Sequence, residues 1–98
     1  MNKLVLISGS SRGLGAAMAK SFSDAGYNVA INYFNSAKEA KNLSEILPTQ
    51  SHAFKCDVSY KKVVTVMLED IKEVFGYHPS ILINNAMTSY VFNGDDSK

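Results

Sequence analysis

One stretch decides the fold of this 98-residue chain: Leu4-Val5-Leu6-Ile7-Ser8-Gly9-Ser10-Ser11-Arg12-Gly13-Leu14-Gly15. Four apolar residues come first, which is typical of a strand buried on both faces of a parallel sheet. Three glycines follow, at positions 9, 13 and 15, and they allow a tight turn that brings backbone N–H groups close to an anion. A helix pattern begins where the turn ends, and the positive end of a helix attracts the same anion. The stretch therefore predicts a pyrophosphate site, although similar turns also occur where nothing binds.

The rest of the chain alternates between strand and helix patterns. The predicted elements are, in chain order, strand Leu4–Ile7, helix 14–25, strand Asn28–Tyr33, helix 36–47, strand 51–56, helix 59–75 and strand 80–83. Because the helices are long enough to act as crossovers, this order favours an α/β fold with a parallel sheet and helices on both faces. The third strand is weaker and alternating, which places it near a sheet edge. We expect one domain over residues 1–98, with a polar tail at 88–98.

Local signals predict how two of the helices begin and how two of them pack. Ser36 with Glu39 forms a capping-box pattern at the second helix, and Ser59 is a favourable cap for the third. The face expected to be buried on the first helix consists of Leu14, Ala17, Met18, Phe22 and Ala25. The corresponding face on the third helix consists of Val63, Val64, Met67, Leu68, Ile71, Val74 and Phe75.

The composition excludes several classes of partner. A net charge of +1 gives no reason to expect nucleic acid. No apolar run approaches the length of a membrane span, and the sequence does not start with a secretory-signal pattern, so no membrane partner and a cytoplasmic location are expected. The single cysteine, Cys56, fits a reducing compartment and is expected in the core. His52 and His78 lack partners at metal-ligand spacing, so no metal site is expected.

Polar or small residues follow all four predicted strands. In this architecture, ligands bind beyond the carboxyl ends of the strands. Those ends are residues 8–12, 32–33, 56–58 and 84–87. Their convergence at one edge of the sheet favours a nucleotide site more strongly than the glycine stretch does alone.

The segment after the second strand indicates which nucleotide is bound. An acidic residue about 20 positions beyond the glycines takes the ribose hydroxyls of NAD in such folds. Tyr33 lies 18 residues after Gly15, and residues 32–36 contain no carboxylate. Arg12, the only arginine in the chain, could therefore meet a 2′-phosphate, which favours NADP(H) over NAD. The alternative is that Arg12 is a solvated loop residue and that Tyr33 only packs.

The other two strand ends each allow two interpretations. Asp57 can accept a hydrogen bond from an adenine amine or cap the following helix, and the two roles are compatible. Asn84 and Asn85 are adjacent amides at the end of an apolar strand. In the structural interpretation, one amide links neighbouring strands. In the functional interpretation, the backbone after the pair contacts the ribose of the nucleotide. We expect both roles.

Together these residues resemble the short-chain dehydrogenase/reductase family, over residues 3–87. The motif from Gly9 to Gly15, preceded by Ser8 where threonine is usual, is similar to the family's cofactor loop. The family's adenine-contacting pair corresponds to Asp57-Val58, and its Asn-Asn-Ala-Gly motif to Asn84-Asn85-Ala86, with Met87 in place of the glycine. Asn32-Tyr33 with Ser36 resembles the NADPH-using branch that includes 3-oxoacyl-acyl carrier protein reductases.

The resemblance implies a fold, an activity and a set of binding residues. The fold would be an incomplete, Rossmann-like, doubly wound sheet of βαβαβαβ order with strand order 3-2-1-4. The activity would be hydride transfer between NADP(H) and a carbonyl or alcohol. The implied cofactor-binding residues are Gly9, Ser10, Ser11, Arg12, Gly13, Leu14, Gly15, Asn32, Tyr33, Ser36, Asp57, Val58, Asn85, Ala86 and Met87.

The resemblance does not extend to the family's catalytic residues. Catalysis in the family uses a Tyr-x-x-x-Lys pair and an upstream serine, and none of the five tyrosines here has lysine four residues on. We therefore expect no catalytic residue in this chain, which would be the cofactor-binding half of an oxidoreductase. One alternative is a non-catalytic nucleotide-binding module or truncated remnant. A weaker alternative is a site for S-adenosylmethionine, against which the glycine spacing and Arg12 argue.

An incomplete sheet also predicts an exposed edge. With strand order 3-2-1-4, the fourth strand, Ile81–Ile83, has a neighbour on one side only. An unpaired apolar edge promotes association between copies, so we expect the chain to be marginally stable or to self-associate there.

Overall fold

The computed structural model describes residues 3–85. Its elements are β1 Leu4–Ile7, α1 Gly13–Asp24, β2 Asn28–Tyr33, α2 Ala37–Ile46, β3 Ser51–Lys55, α3 Lys61–Phe75 and β4 Ile81–Ile83. The predicted order of strands and helices is confirmed, and the boundaries differ by at most two residues. The tail predicted at 88–98 lies outside the described residues.

The four strands form one parallel sheet in the order β3-β2-β1-β4, as the family resemblance implied. The weak third strand lies at one edge, as predicted. The strand β1 lies inside the sheet and pairs Leu6 with Ala30 of β2 and with Leu82 of β4. All four residues of β1 are buried, because helices cover both faces of the sheet at this strand.

Alternate residues of the strands feed two separate cores. On one face Leu4 and Leu6 pack in a cluster with α3. On the other face Val5 and Ile7 pack with residues of α1 and α2. The side-chain alternation of a strand therefore divides β1 between two hydrophobic layers.

The buried face of α1 is only partly the predicted one. Met18 and Phe22 are half-buried and pack against the core, as predicted. Leu14 is 70% exposed, and Ala17 and Ala25 are exposed as well, so the prediction was wrong for these three. The fully buried residues are Gly15, Ala19 and Ser23, four residues apart, because small side chains allow the helix to lie close against the sheet.

The buried face of α3 is narrower than predicted. Met67, Ile71 and Phe75 are buried and again lie four residues apart. Val63 and Val74, which the prediction included, are 42% and 41% exposed. Val64 and Leu68 are half-buried and pack against the same cluster, so the prediction holds for five of its seven residues.

Both predicted helix caps need correction. Ser36 occupies the N-cap position of α2, but its side chain makes no capping hydrogen bond among the described residues. The N-cap of α3 is Tyr60, not Ser59. The Ser59 hydroxyl donates instead to Oδ1 of Asp57 at 2.6 Å, so it is used in the turn before the helix.

The strand β4 presents an apolar surface. Leu82 is 63% exposed, while Ile81 and Ile83 are half-buried. No strand among the described residues pairs with its outer edge. Within residues 3–85, none of the helices combines the length and apolar character that a membrane crossing needs.

Truncating the central buried residue of α3 tests its packing. We expect Ile71→Ala, at a fully buried site, to lower the free energy of unfolding by about 2–5 kcal/mol in urea denaturation. The matched control is Val66→Ala on the same helix, which removes an apolar side chain that is 60% exposed. Equal losses from the two substitutions would contradict the orientation of α3.

Candidate functional site

The carboxyl ends of the four strands meet at one edge of the sheet. The chain leaves β1 into the loop at residues 8–12, which α1 follows. Hydrogen bonds tie this loop to the ends of both neighbouring strands. Ser8 N–H donates to the carbonyl of Ile83 at 3.0 Å, and Ser10 N–H donates to the carbonyl of Asn32 at 3.0 Å.

The glycine loop is held by two asparagine side chains. The N–H of Gly9 donates to Oδ1 of Asn32 at 3.0 Å. The carbonyl of Gly9 accepts from Nδ2 of Asn85 at 3.1 Å. Both peptide groups of one residue are therefore fixed from opposite sides, by β2 and by the end of β4. The expectation that one of the paired amides links neighbouring strands is confirmed at Asn85.

Glycine is required at two kinds of position in the loop. Gly9 and Gly13 both have φ of 62°, in the left-handed region that side chains rarely adopt. Gly15 has ordinary helical geometry, but a Cβ atom there would strike the carbonyl oxygen of Gly9 and lie 2.7 Å from Cα of Ser10. The loop and the first turn of α1 are thus in direct backbone contact.

The start of α1 faces the loop without a competing anion. Its N-cap is Arg12, whose backbone is extended and whose side chain makes no capping bond among the described residues. The first turn contains no acidic residue, and the first amides of any α-helix lack intrahelical partners. Arg12 is exposed.

Asn32 is buried beneath the loop, unlike the other predicted binding residues at the end of β2. Its side chain is buried, at 2% exposure, and points below the loop rather than into the open edge. Nδ2 donates to the carbonyl of Cys56 at 3.1 Å and lies 3.4 Å from that of Phe54. Sequence reasoning placed Asn32 at the site but missed this role. The available signal was an amide interrupting the apolar run of β2.

The segment after β2 forms the outer part of the site. Tyr33 ends the strand and is half-buried, and Phe34 is 51% exposed. Ser36 follows at the start of α2. Residues 32–36 contain no carboxylate, so nothing there repels a phosphate.

Asp57 shapes the turn after β3. Its Oδ1 accepts from Ser59 N–H at 3.1 Å as well as from the Ser59 hydroxyl, and its backbone carbonyl accepts from Tyr60 N–H at 3.1 Å. These bonds form a turn closed by the aspartate side chain, so the expected capping role acts on the turn and not on α3 itself. Val58 packs against the core under α3.

A cavity of about 320 Å³ lies at the same edge. Residues from three strand ends line it, among them Ser8, Val58 and Asn84. It opens between α3 and β4 and extends along the apolar side chains of Leu6 and Leu82.

Cys56 is a core residue, as expected. It is 3% exposed, and burial, followed by the neighbouring Asp57 carboxylate, raises the pKa of its thiol. The thiol therefore stays protonated at neutral pH and is not an activated nucleophile. Among the described residues, no three His, Cys, Asp or Glu side chains are grouped closely enough to hold a metal ion.

The loop residues, Asn32, Tyr33, Asp57, Val58 and Asn85 lie at the carboxyl edge, with Ser36 just beyond it. Ala86 and Met87 lie outside the described residues.

Comparison with known proteins identifies the family. A family model described as enoyl-(acyl carrier protein) reductase matches residues 9–94. A 3-oxoacyl-[acyl-carrier-protein] reductase, FabG, of Staphylococcus epidermidis is 35% identical over 89 residues, which are 88% of this chain and 36% of that protein. The chain belongs to the short-chain dehydrogenase/reductase family.

Other members of the short-chain dehydrogenase/reductase family agree with this assignment. A probable NADP-dependent mannitol dehydrogenase of Yarrowia lipolytica is 40% identical over 76% of this chain and 27% of its own length. A dehydrogenase/reductase structure from Sinorhizobium meliloti superposes with a TM-score of 0.78 at 28% identity, over 84% of this chain and 33% of that one. The chain spans about a third of the length of the relatives it matches.

The contact between loop and helix predicts the effect of a methyl group at position 15. Gly15→Ala would normally stabilise a helix by about 1 kcal/mol. Here we expect it to destabilise the protein by about 1–3 kcal/mol, because backbone atoms of Gly9 and Ser10 must move. Urea denaturation measures the change, with Ser21→Ala on the exposed side of α1 as control. A Gly15→Ala protein as stable as the wild type would refute the close contact.

Proposed function

We propose that residues 1–98 form the dinucleotide-binding part of a short-chain oxidoreductase that uses NADP(H) and acts in the cytoplasm on a carbonyl or 3-oxoacyl substrate. The observation that carries the proposal is the glycine loop, fixed by Asn32 and Asn85 at the start of α1. The loop presents the N-terminus of α1, whose first amides lack intrahelical partners and whose first turn contains no acidic residue.

The pyrophosphate would lie against this loop. Residues Gly9 to Gly15, including Ser10, Ser11 and Leu14, supply the turn and the first amides of α1.

The 2′-phosphate of NADP(H) would lie between Arg12 and the segment after β2. Arg12 is exposed at the start of α1, while Tyr33 ends β2 and Ser36 precedes α2. A guanidinium favours a phosphate strongly, and a segment without carboxylates does not oppose it. The name of the Yarrowia relative, an NADP-dependent dehydrogenase, agrees with this choice over NAD.

The adenine and the nicotinamide ribose would bind at the carboxyl ends of β3 and β4. Asp57 and Val58 would contact the adenine, and Asn85 with Ala86 and Met87 would contact the ribose. The bound cofactor would supply the hydride. This chain's own residues would hold and orient the cofactor. They would not donate the proton, because no tyrosine of the sequence has the lysine four residues on that the family uses for this step.

Removing the arginine tests the choice of cofactor. We expect Arg12→Gln to weaken NADPH binding about 10–100-fold, since a charged hydrogen-bonded pair is lost, and to leave NADH binding within about twofold. Fluorescence titration measures both dissociation constants. Lys20→Gln, which removes one exposed charge from α1 away from the loop, is the control and should change neither. Equal losses for both cofactors would refute a 2′-phosphate contact.

Because the sequence holds no Tyr-x-x-x-Lys pair, residues 1–98 alone should bind NADPH without turnover whether they belong to an oxidoreductase or form a non-catalytic module. A reading frame that continues into a serine and a Tyr-x-x-x-Lys pair, and turnover of a 3-oxoacyl thioester by that longer protein, would support the oxidoreductase. Absence of such a continuation would support the module.

We further propose that copies of the chain associate through the outer edge of β4. Leu82 is 63% exposed there, and unpaired strand edges pair readily. Leu82→Lys places a charge on that edge and should lower the association constant at least tenfold in sedimentation equilibrium, without loss of stability. Ile46→Lys, at a site 64% exposed on α2, is the control. A wild-type protein that stays monomeric at high concentration would refute the proposal.

A further inference from the structure

We infer that Asn32 is a positioning residue that fixes the spacing between the phosphate loop and the adenine turn, Asp57-Val58. The inference rests on the proposed function, because those two segments are the parts of the site that one dinucleotide must reach together. It assigns the Asn32 side chain a role beneath the cofactor rather than in contact with it.

On the loop side, Asn32 makes three hydrogen bonds to two adjacent residues. Its Oδ1 accepts from Gly9 N–H at 3.0 Å, and its carbonyl accepts from Ser10 N–H at 3.0 Å. Its own N–H donates to Oγ of Ser10 at 3.2 Å. The position of the loop relative to β2 is therefore set by this one residue.

On the opposite side, the same amide reaches the end of β3. Nδ2 donates to the carbonyl of Cys56 at 3.1 Å, one residue before Asp57. The backbone reinforces the link, since Cys56 N–H donates to the carbonyl of Tyr33 at 2.9 Å. A single planar group thus joins the phosphate loop to the residue that leads into the adenine turn.

Only a neutral group that both donates and accepts satisfies both sides at this place. The loop offers a donor and β3 offers carbonyl acceptors, so the side chain must accept and donate at once. At 2% exposure, water cannot replace either partner. An ionised aspartate would accept from Gly9 but would turn a second oxygen toward the carbonyl of Cys56, which repels it.

An aspartate at this position provides a direct test, because its protonation restores the missing donor. We expect Asn32→Asp to weaken NADPH binding at least tenfold at pH 8 relative to the wild type at that pH. Burial favours the neutral acid, so the ratio of the two dissociation constants should shrink severalfold at pH 5.5. A role limited to stability would leave the folded variant with wild-type affinity at both pH values.

Two further variants control the experiment. Asn28→Asp changes an amide on the same strand that bonds Gln50 N–H and the Tyr77 hydroxyl, far from the loop, and should leave the NADPH affinity within twofold. Asn32→Ala removes the side-chain bonds to Gly9 and Cys56, keeps the backbone bonds to Ser10, and serves if Asn32→Asp does not fold, as judged by circular dichroism. It should weaken binding about threefold with no recovery at low pH.

The outcomes separate the two proposals. If the wild type does not bind NADPH, the proposed function falls and the inference falls with it. If the wild type binds, and folded Asn32→Asp at pH 8 or folded Asn32→Ala binds as tightly, the inference alone is overturned. A tenfold loss at pH 8 that recovers on acidification supports it.

Discussion

The capture of Gly9 by two asparagine side chains is the interaction on which the carboxyl edge of the sheet depends. The loop leaves β1 with a positive φ at Gly9, a geometry that makes no regular backbone pairing there. Asn32 takes the N–H and Asn85 takes the carbonyl, at 3.0 and 3.1 Å. Because the two amides come from strands on opposite sides of β1, the loop geometry is a property of the sheet and not of the glycine motif alone.

The same interaction explains why α1 packs through small residues. The carbonyl of Gly9 and the amide of Asn85 occupy the space where a side chain of residue 15 would stand. The helix therefore starts in contact with the loop backbone and continues against the sheet through Ala19 and Ser23. Ser23 is itself tied to Thr49, whose hydroxyl is 2.6 Å from its own. The helix α1 therefore lies close to the loop at Gly15 and close to the sheet for two further turns, at Ala19 and Ser23.

The sequence predicted the order of the elements but not which way their side chains face. The apolar runs of β1 and β2 indicate buried strands, and the alternation of strands with helices then favours a parallel sheet. The face of α1 was mispredicted at its start, because Leu14 carries a larger hydrophobic signal than Gly15, although backbone proximity decides the packing there. The role of Asn32 was missed for a related reason. Its partners, Gly9 and Cys56, are distant in sequence, and only the register of three strands brings them together.

Asn32 and Tyr33 show how two adjacent residues divide one site. Side chains alternate along a strand, so Asn32 points toward the layer under α3, while Tyr33 packs with the layer of α1 and α2. The buried residue can therefore hold the loop without ever meeting solvent, and the half-buried one borders the open edge. Under the proposed function, cofactor choice is then set from Tyr33 onward and by Arg12, whereas Asn32 sets the geometry that either cofactor requires. A substitution at Asn32 should thus affect NADPH and NADH alike, while one at Arg12 discriminates between them.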